Sequence, residues 1–250
     1  MRRPRHRNLL VIPFLALLGL TACSSGTDDT ELTVAAAASL TEPFQLLEAA
    51  FEEQNEGVNV RFSFGSSTTL AEQATQGAPG DVLATADEES MQVAETGKAL
   101  AADPVRFATN RLVLVVPADN PAGITGIDDL AGSDWVRCDD KIPCGRLAVT
   151  LLADNQTAAS PSSKEIDVKA VLAKVASGEA DAGFVYATDA IVARDEVEVI
   201  EIPGSETELN PYFIARLEQD DSVGLADKWV AFVSSPAGQQ ILADAGFGRP

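Results

Sequence analysis

A short stretch at 32–44 constrains the fold more than any other part of the chain. Leu32 and Val34 lead into Ala35-Ala-Ala-Ala38, an apolar run that reads as a buried strand. It breaks at Ser39 directly into Phe44, Leu47 and Phe51, an apolar face at helical spacing, with Glu48, Glu52 and Glu53 opposite. Ser39-x-x-Glu42 has the form of a capping box, and Pro43 suits a helix's first turn. A strand that turns this sharply into a helix leaves backbone N–H groups without intrahelical partners. Beside a serine hydroxyl, they form a seat for an anion. Taken alone, Ser39 also reads as no more than a helix cap.

The same alternation runs through the chain. Val58, Val60, Phe62 and Phe64 alternate as a strand, and Gly65-Ser66-Ser67-Thr-Thr-Leu opens the next helix. Strand-like runs recur at 82–86, 112–116, 135–138, 183–186, 197–202 and 212–217. Helical faces recur at 147–152 and 168–175, and two more helices close the chain. Alternating strands and helices predict an α/β fold with mostly parallel sheets. About 220 residues beyond a leader suit two medium domains rather than one.

The leader is the first 22 residues. Arg2, Arg3, Arg5 and Arg7 precede an apolar core from Leu9 to Leu20, too short to span a membrane, so 1–22 reads as an export signal. Its ending, Leu20-Thr-Ala-Cys23, resembles the lipobox of bacterial lipoproteins. That resemblance implies cleavage before Cys23, a lipid on its sulfur and anchoring to the cell membrane from outside, with 23–30 as a polar tether. A plain export signal followed by an unmodified cysteine is the alternative.

Removing the leader takes four arginines and no acids. It leaves 14 basic against 38 acidic side chains, a balance of −24. Nucleic acid and anionic membrane both need a basic face and are excluded as electrostatic partners. The leader also carries His6, the chain's one histidine. The mature chain therefore holds no His-ligated metal and no Ser-His or Cys-His dyad. It has no Gly-rich phosphate loop and no matched pair of carboxylates, so an enzyme is not expected.

Five places share one design, in which a strand ends and a hydroxyl or helix start follows. They are Ser39, Ser66-Ser67, Pro143-Cys144-Gly145, Asp167-Val168 and Tyr186. In open α/β sheets ligands sit beyond the carboxyl ends of strands, so convergence of these five would make a pocket of neutral donors. Cys138 and Cys144, six apart in an exported chain, are expected to form a disulfide rather than a redox or metal pair.

Four motifs of the chain resemble the molybdate-binding proteins of bacterial ABC importers. They are Ala36-Ala-Ala-Ser39-Leu-Thr, Phe64-Gly-Ser-Ser67-Thr-Thr-Leu, Gly77-Ala-Pro-Gly-Asp-Val and Gly183-Phe-Val-Tyr186-Ala-Thr-Asp-Ala. The ending Ser235-Pro-Ala-Gly-Gln-Gln-Ile-Leu-Ala-Asp-Ala-Gly-Phe247 resembles that family too, and the match runs in order from about Leu32 to Phe247. The resemblance implies a two-domain periplasmic-binding fold with the ligand cleft between the domains. It places domain 1 at 31–110 plus 204–250 and domain 2 at 111–203. It implies a monomer that captures molybdate and tungstate outside the membrane and delivers them to a permease. No cofactor is expected, and no metal beyond the molybdenum of the oxyanion.

Carried over residue by residue, the family's ligands fall on the hydroxyls of Ser39, Ser67 and Tyr186 and the backbone N–H groups of Cys144 and Val168. Ser66, one position away, is the alternative to Ser67. A fully deprotonated dianion only accepts hydrogen bonds, so a site of donors suits it. Phosphate near neutrality keeps a proton that such a site leaves unpaired. Sulfate has the same charge at a smaller size, and a sulfate receptor on the same scaffold is the alternative reading. Asp167 beside Val168 is expected to cap its own helix.

Overall fold

A computed structural model of the chain describes residues 30–218 and 223–250. The export signal, Cys23 and all but the last residue of the tether lie outside the described residues. Two five-stranded sheets carry the fold. The first is built from β1 (Thr30–Ala37), β2 (Val58–Gly65), β3 (Val82–Thr85), β4 (Val105–Asn110) and β10 (Asn210–Arg216), in the order β2-β1-β3-β10-β4. The second holds β5 (Leu112–Pro117), β6 (Trp135–Cys138), β7 (Ser163–Glu165), β8 (Ala182–Tyr186) and β9 (Val197–Ile200), in the order β7-β6-β8-β5-β9.

Both sheets are mixed rather than mostly parallel. β1 runs parallel to β2 and β3, and β6 runs parallel to β7 and β8. β10 is antiparallel to both its neighbours, and so is β5. The physical reason lies in connectivity. A strand reached through a helical crossover within one sheet comes back parallel, but a strand entered from the other sheet is under no such constraint. β5 follows β4 across the single residue Arg111, and β10 follows β9 through 201–209; both enter from the opposite sheet.

Each sheet buries its own helices. α1 (Thr41–Gln54) places Phe44, Leu47 and Phe51 inward, as the spacing predicts. The rings of Phe44 and Phe51 meet Trp229 of α7 (Val223–Val233), with the Phe51 and Trp229 centroids 5.1 Å apart and edge-on. Phe62, Phe107 and Phe232 complete this aromatic core, whose edge-to-face pairs add to simple area burial. In the second half Trp135 and Phe184 pack together, while α4 (Pro143–Asp154) and α5 (Val168–Ala176) bury Leu147, Leu151, Val171 and Val175. The remaining helices are α2 (Ser67–Thr75), α3 (Glu88–Thr96), α6 (Ala187–Val192) and α8 (Pro236–Asp244). Among the described residues no helix is long and apolar enough to cross a membrane.

Candidate functional site

Every expected site residue sits where a strand gives way to a helix. β1 ends at Ala37 and the chain turns through a 3-10 segment, Ala38–Leu40, before α1. The capping box is not formed. The residue that precedes α1 is Leu40, with no side-chain cap. The extra turn moves the helix start past Ser39, whose buried hydroxyl lies 2.8 Å from the Tyr212 hydroxyl on β10 instead. α2 begins at Ser67, also buried, and its Oγ accepts the Ala86 N–H at 2.9 Å. Ser66, just before the helix, has a buried Oγ with no hydrogen-bond partner among the described residues.

The second half contributes two helix starts. Pro143 opens α4, so Cys144 lies in its first turn, where backbone N–H groups have no acceptor within the helix. Cys144 is disulfide-bonded to Cys138, the last residue of β6, with Cα atoms 5.8 Å apart. Gly145 is required at the next position, because a Cβ there would stand 1.9 Å from the Asp139 carbonyl oxygen. Bridge and glycine together press the first turn of α4 onto the end of β6. α5 starts at Val168 after Asp167, whose carboxylate accepts the Ala170 N–H at 2.9 Å as the expected cap. Tyr186 ends β8 fully buried, its hydroxyl accepting from Asn210 Nδ2 at 2.5 Å.

Ser39, Ser67, Cys144, Val168 and Tyr186 all line one small cavity of about 20 Å³ between the two halves. Ser66 and Asp167 border it as well, while no lysine or arginine does among the described residues. Burial pushes the Tyr186 hydroxyl well above the usual tyrosine range, with Tyr212 and Asp87 adding to the effect and Asn210 opposing it. Burial raises Tyr212 as well, against its hydrogen bonds to Ser39, Asn110 and Tyr186. Both phenols are therefore neutral groups that keep a proton to donate.

Charged side chains stand around the cavity and join its two halves. Arg146 of α4 reaches across to the Asp87 carboxylate, with Nε at 2.9 Å, and to Ser90 at 3.1 Å. Asp87 also caps α3, so its charge is fully engaged and it stays out of the cavity. Lys169, next to Val168, pairs with Glu42 of α1 at 2.7 Å and approaches Asp189 at 3.0 Å. Asp189 is buried, and burial raises its carboxyl against the pull of Lys169. Thr68 donates to the Lys141 carbonyl at 2.8 Å, a third contact across the cleft.

Sequence reasoning missed Tyr212, Asn210, Arg146 and Lys169. A signal existed for the first two. Tyr212 is one of only two tyrosines, and period-two alternation puts Asn210 and Tyr212 on the same face of one strand. Arg146 and Lys169 carried none, because surface cations on helices are ordinary.

The model of the family described as bacterial extracellular solute-binding protein matches residues 32–248. The chain belongs to that family. Its members bind solutes for transport and are not enzymes. The solute-binding protein described here is 36% identical over 252 residues to the molybdate-binding protein ModA of Mycobacterium tuberculosis, covering 96% of this chain and 97% of that one. It is 29% identical over 246 residues to the protein of the same name from Escherichia coli, covering 93% and 94%. Among solved structures, the substrate-binding domain of a molybdenum ABC transporter from Clostridium difficile matches at 30% identity and a TM-score of 0.66, covering 88% of this chain and 99% of that one. The periplasmic molybdate-binding protein of Azotobacter vinelandii matches in fold with a TM-score of 0.75 at 24% identity, over 88% and 99%. The motif resemblance and the two-domain α/β substrate-binding fold both hold.

Proposed function

We propose that this solute-binding protein captures molybdate outside the cytoplasm and delivers it to an ABC importer. The ligands are the hydroxyls of Ser39, Ser67 and Tyr186 and the N–H groups of Cys144 and Val168. One observation carries the reading: these five groups, far apart in sequence, line a single cavity with no lysine or arginine among its described lining residues. Neutral donors hold a dianion without the charge of an arginine, and two come from helix N-termini that favour negative charge. The relatives named for molybdate support the choice of anion.

Tungstate has the same charge and shape and binds the same donors. Ser39 and Ser67 stand on the first sheet's half and the other three on the second, so closing the halves assembles the site and ligand favours the closed form. We place the boundaries between these halves at about 110/111 and 203/204. The mature protein acts as a monomer, held to the membrane from outside by the lipid on Cys23.

Thermal melts of the mature protein against a panel of oxyanions test the reading. A ligand at 100 times its dissociation constant stabilises by about 2.7 kcal/mol, which shifts the melt of a domain pair this size by several degrees. Molybdate and tungstate are expected to shift it. An equal shift with sulfate would replace the proposal with a broader oxyanion receptor, and no shift with any anion would overturn it.

A further inference from the structure

Behind the three proposed hydroxyl ligands lies a second set of polar groups. The Tyr212 hydroxyl is 2.8 Å from Ser39 Oγ, and Asn210 Nδ2 is 2.5 Å from the Tyr186 hydroxyl. The Ala86 N–H is 2.9 Å from Ser67 Oγ. A hydroxyl has one proton to give and accepts through its oxygen. An amide Nδ2 and a backbone N–H only donate, so Tyr186 and Ser67 accept from behind and still have their own protons to give, Ser67 to the cavity and Tyr186 to the anion or to Tyr212.

Ser39 is the case that needs an argument, because either hydroxyl of the Ser39–Tyr212 pair can donate. Asn110 decides it. Its Oδ1 accepts the Arg111 N–H at 2.9 Å, so its Nδ2 faces the other way, donating to Thr188 Oγ1 at 2.8 Å. The second Nδ2 hydrogen is left for the Tyr212 hydroxyl, whose pKa Asn110 pulls down against burial. Supplied with a donor from behind, Tyr212 has its own proton left for Ser39 or Tyr186; Asn210 already donates to Tyr186, so the Tyr212 proton goes to Ser39, which then donates into the cavity.

Resting on the molybdate reading, we propose that Tyr212 and Asn210 are specificity-determining residues of the site. They touch no ligand. They fill one acceptor position of Ser39 and of Tyr186, and so favour these two amphoteric hydroxyls as donors toward the cavity. A fully deprotonated oxyanion is served by such a site. A protonated one brings an O–H that finds no acceptor, and an unpaired buried donor is costly. Both residues stand on β10, which enters from the other sheet and passes beneath the cavity, with Tyr212 wholly buried and Asn210 nearly so.

Tyr212→Phe keeps the ring and removes the backing donor, leaving Ser39 Oγ free to accept. Asn210→Leu does the same for Tyr186. Calorimetric competition measures molybdate and inorganic phosphate on the wild type and both variants near pH 8, where phosphate is a singly protonated dianion. It is repeated with Ser66→Ala throughout, since Ser66 Oγ is a buried hydroxyl at the cavity with no backing donor. Each variant is expected to bind molybdate about 3- to 10-fold more weakly, to gain phosphate binding, and to lower the molybdate-to-phosphate ratio at least tenfold. Equal weakening of both anions would mean the residues only support packing, and would overturn the proposal. Molybdate weakening with phosphate still undetectable would overturn it as well, as would unchanged binding. A folded wild type that does not bind molybdate would refute the function itself, a separate outcome read before any variant is compared.

Discussion

Replacing Tyr186 by phenylalanine tests the site through two quantities that a packing role would not link. The side chain is wholly buried, so the ring stays in place and only the hydroxyl is lost. One partner of that hydroxyl is Asn210 Nδ2 at 2.5 Å, itself nearly buried, which loses its acceptor. An unsatisfied buried donor costs about 1–2 kcal/mol, so the ligand-free variant should melt roughly 2–8 °C lower. Besides the neighbouring Tyr212 hydroxyl, its partner is the proposed anion. A hydrogen bond to a charged group is worth about 1.5–3 kcal/mol, so molybdate affinity should fall about tenfold to a hundredfold. Calorimetry gives the second number and a ligand-free melt the first. A lowered melt with wild-type affinity would show that Tyr186 serves the fold and not the ligand. Wild-type values for both would refute the hydrogen bonding itself.

Serine replacement of both Cys138 and Cys144 should lower stability by about 2 kcal/mol through loop entropy, seen as a lower non-reducing melt. It should also weaken molybdate binding, because the bridge holds the turn that presents the Cys144 N–H; unchanged affinity would separate the bridge from the site. Arg146→Met breaks the pairing with Asp87 across the cleft. Since the arginine is about a fifth exposed, the loss should be near 1 kcal/mol, read in stopped-flow as about fivefold faster anion release. Molybdate affinity should stay flat between about pH 6 and 8, because burial raises the Tyr186 and Tyr212 hydroxyls and so keeps their donor protons throughout. The fold itself should weaken in acid. Burial pushes the Glu165 carboxyl up, but Lys174 and Ser163 outweigh it and hold it below 4.5. A lowered folded pKa adds stability above 4.5 that is lost as pH falls through it, so denaturant midpoints should drop below about pH 4.5.

The chain's own pattern determined the class of fold and the places where a ligand could sit. The α1 face of Phe44, Leu47 and Phe51 and the alternating strand ahead of Ser66 are written in residue periodicity, which local geometry enforces. So is each strand-to-helix turn, since the residues that stop a strand and open a helix are neighbours in sequence. Tertiary structure alone decided the rest. The strand at 105–110 is not expected from the sequence, and β4 and β5 part at Arg111 into two sheets because they find their partners more than sixty residues further along the chain. Antiparallel β5 and β10 follow from that division. Ser39 looks like a helix cap from Glu42 three residues on, and it turns away because Tyr212, 173 positions later, lies beneath it. The direction of a hydroxyl proton depends on what stands behind the oxygen, and for Ser39 and Tyr186 that neighbour arrives from a strand which sequence spacing does not bring near.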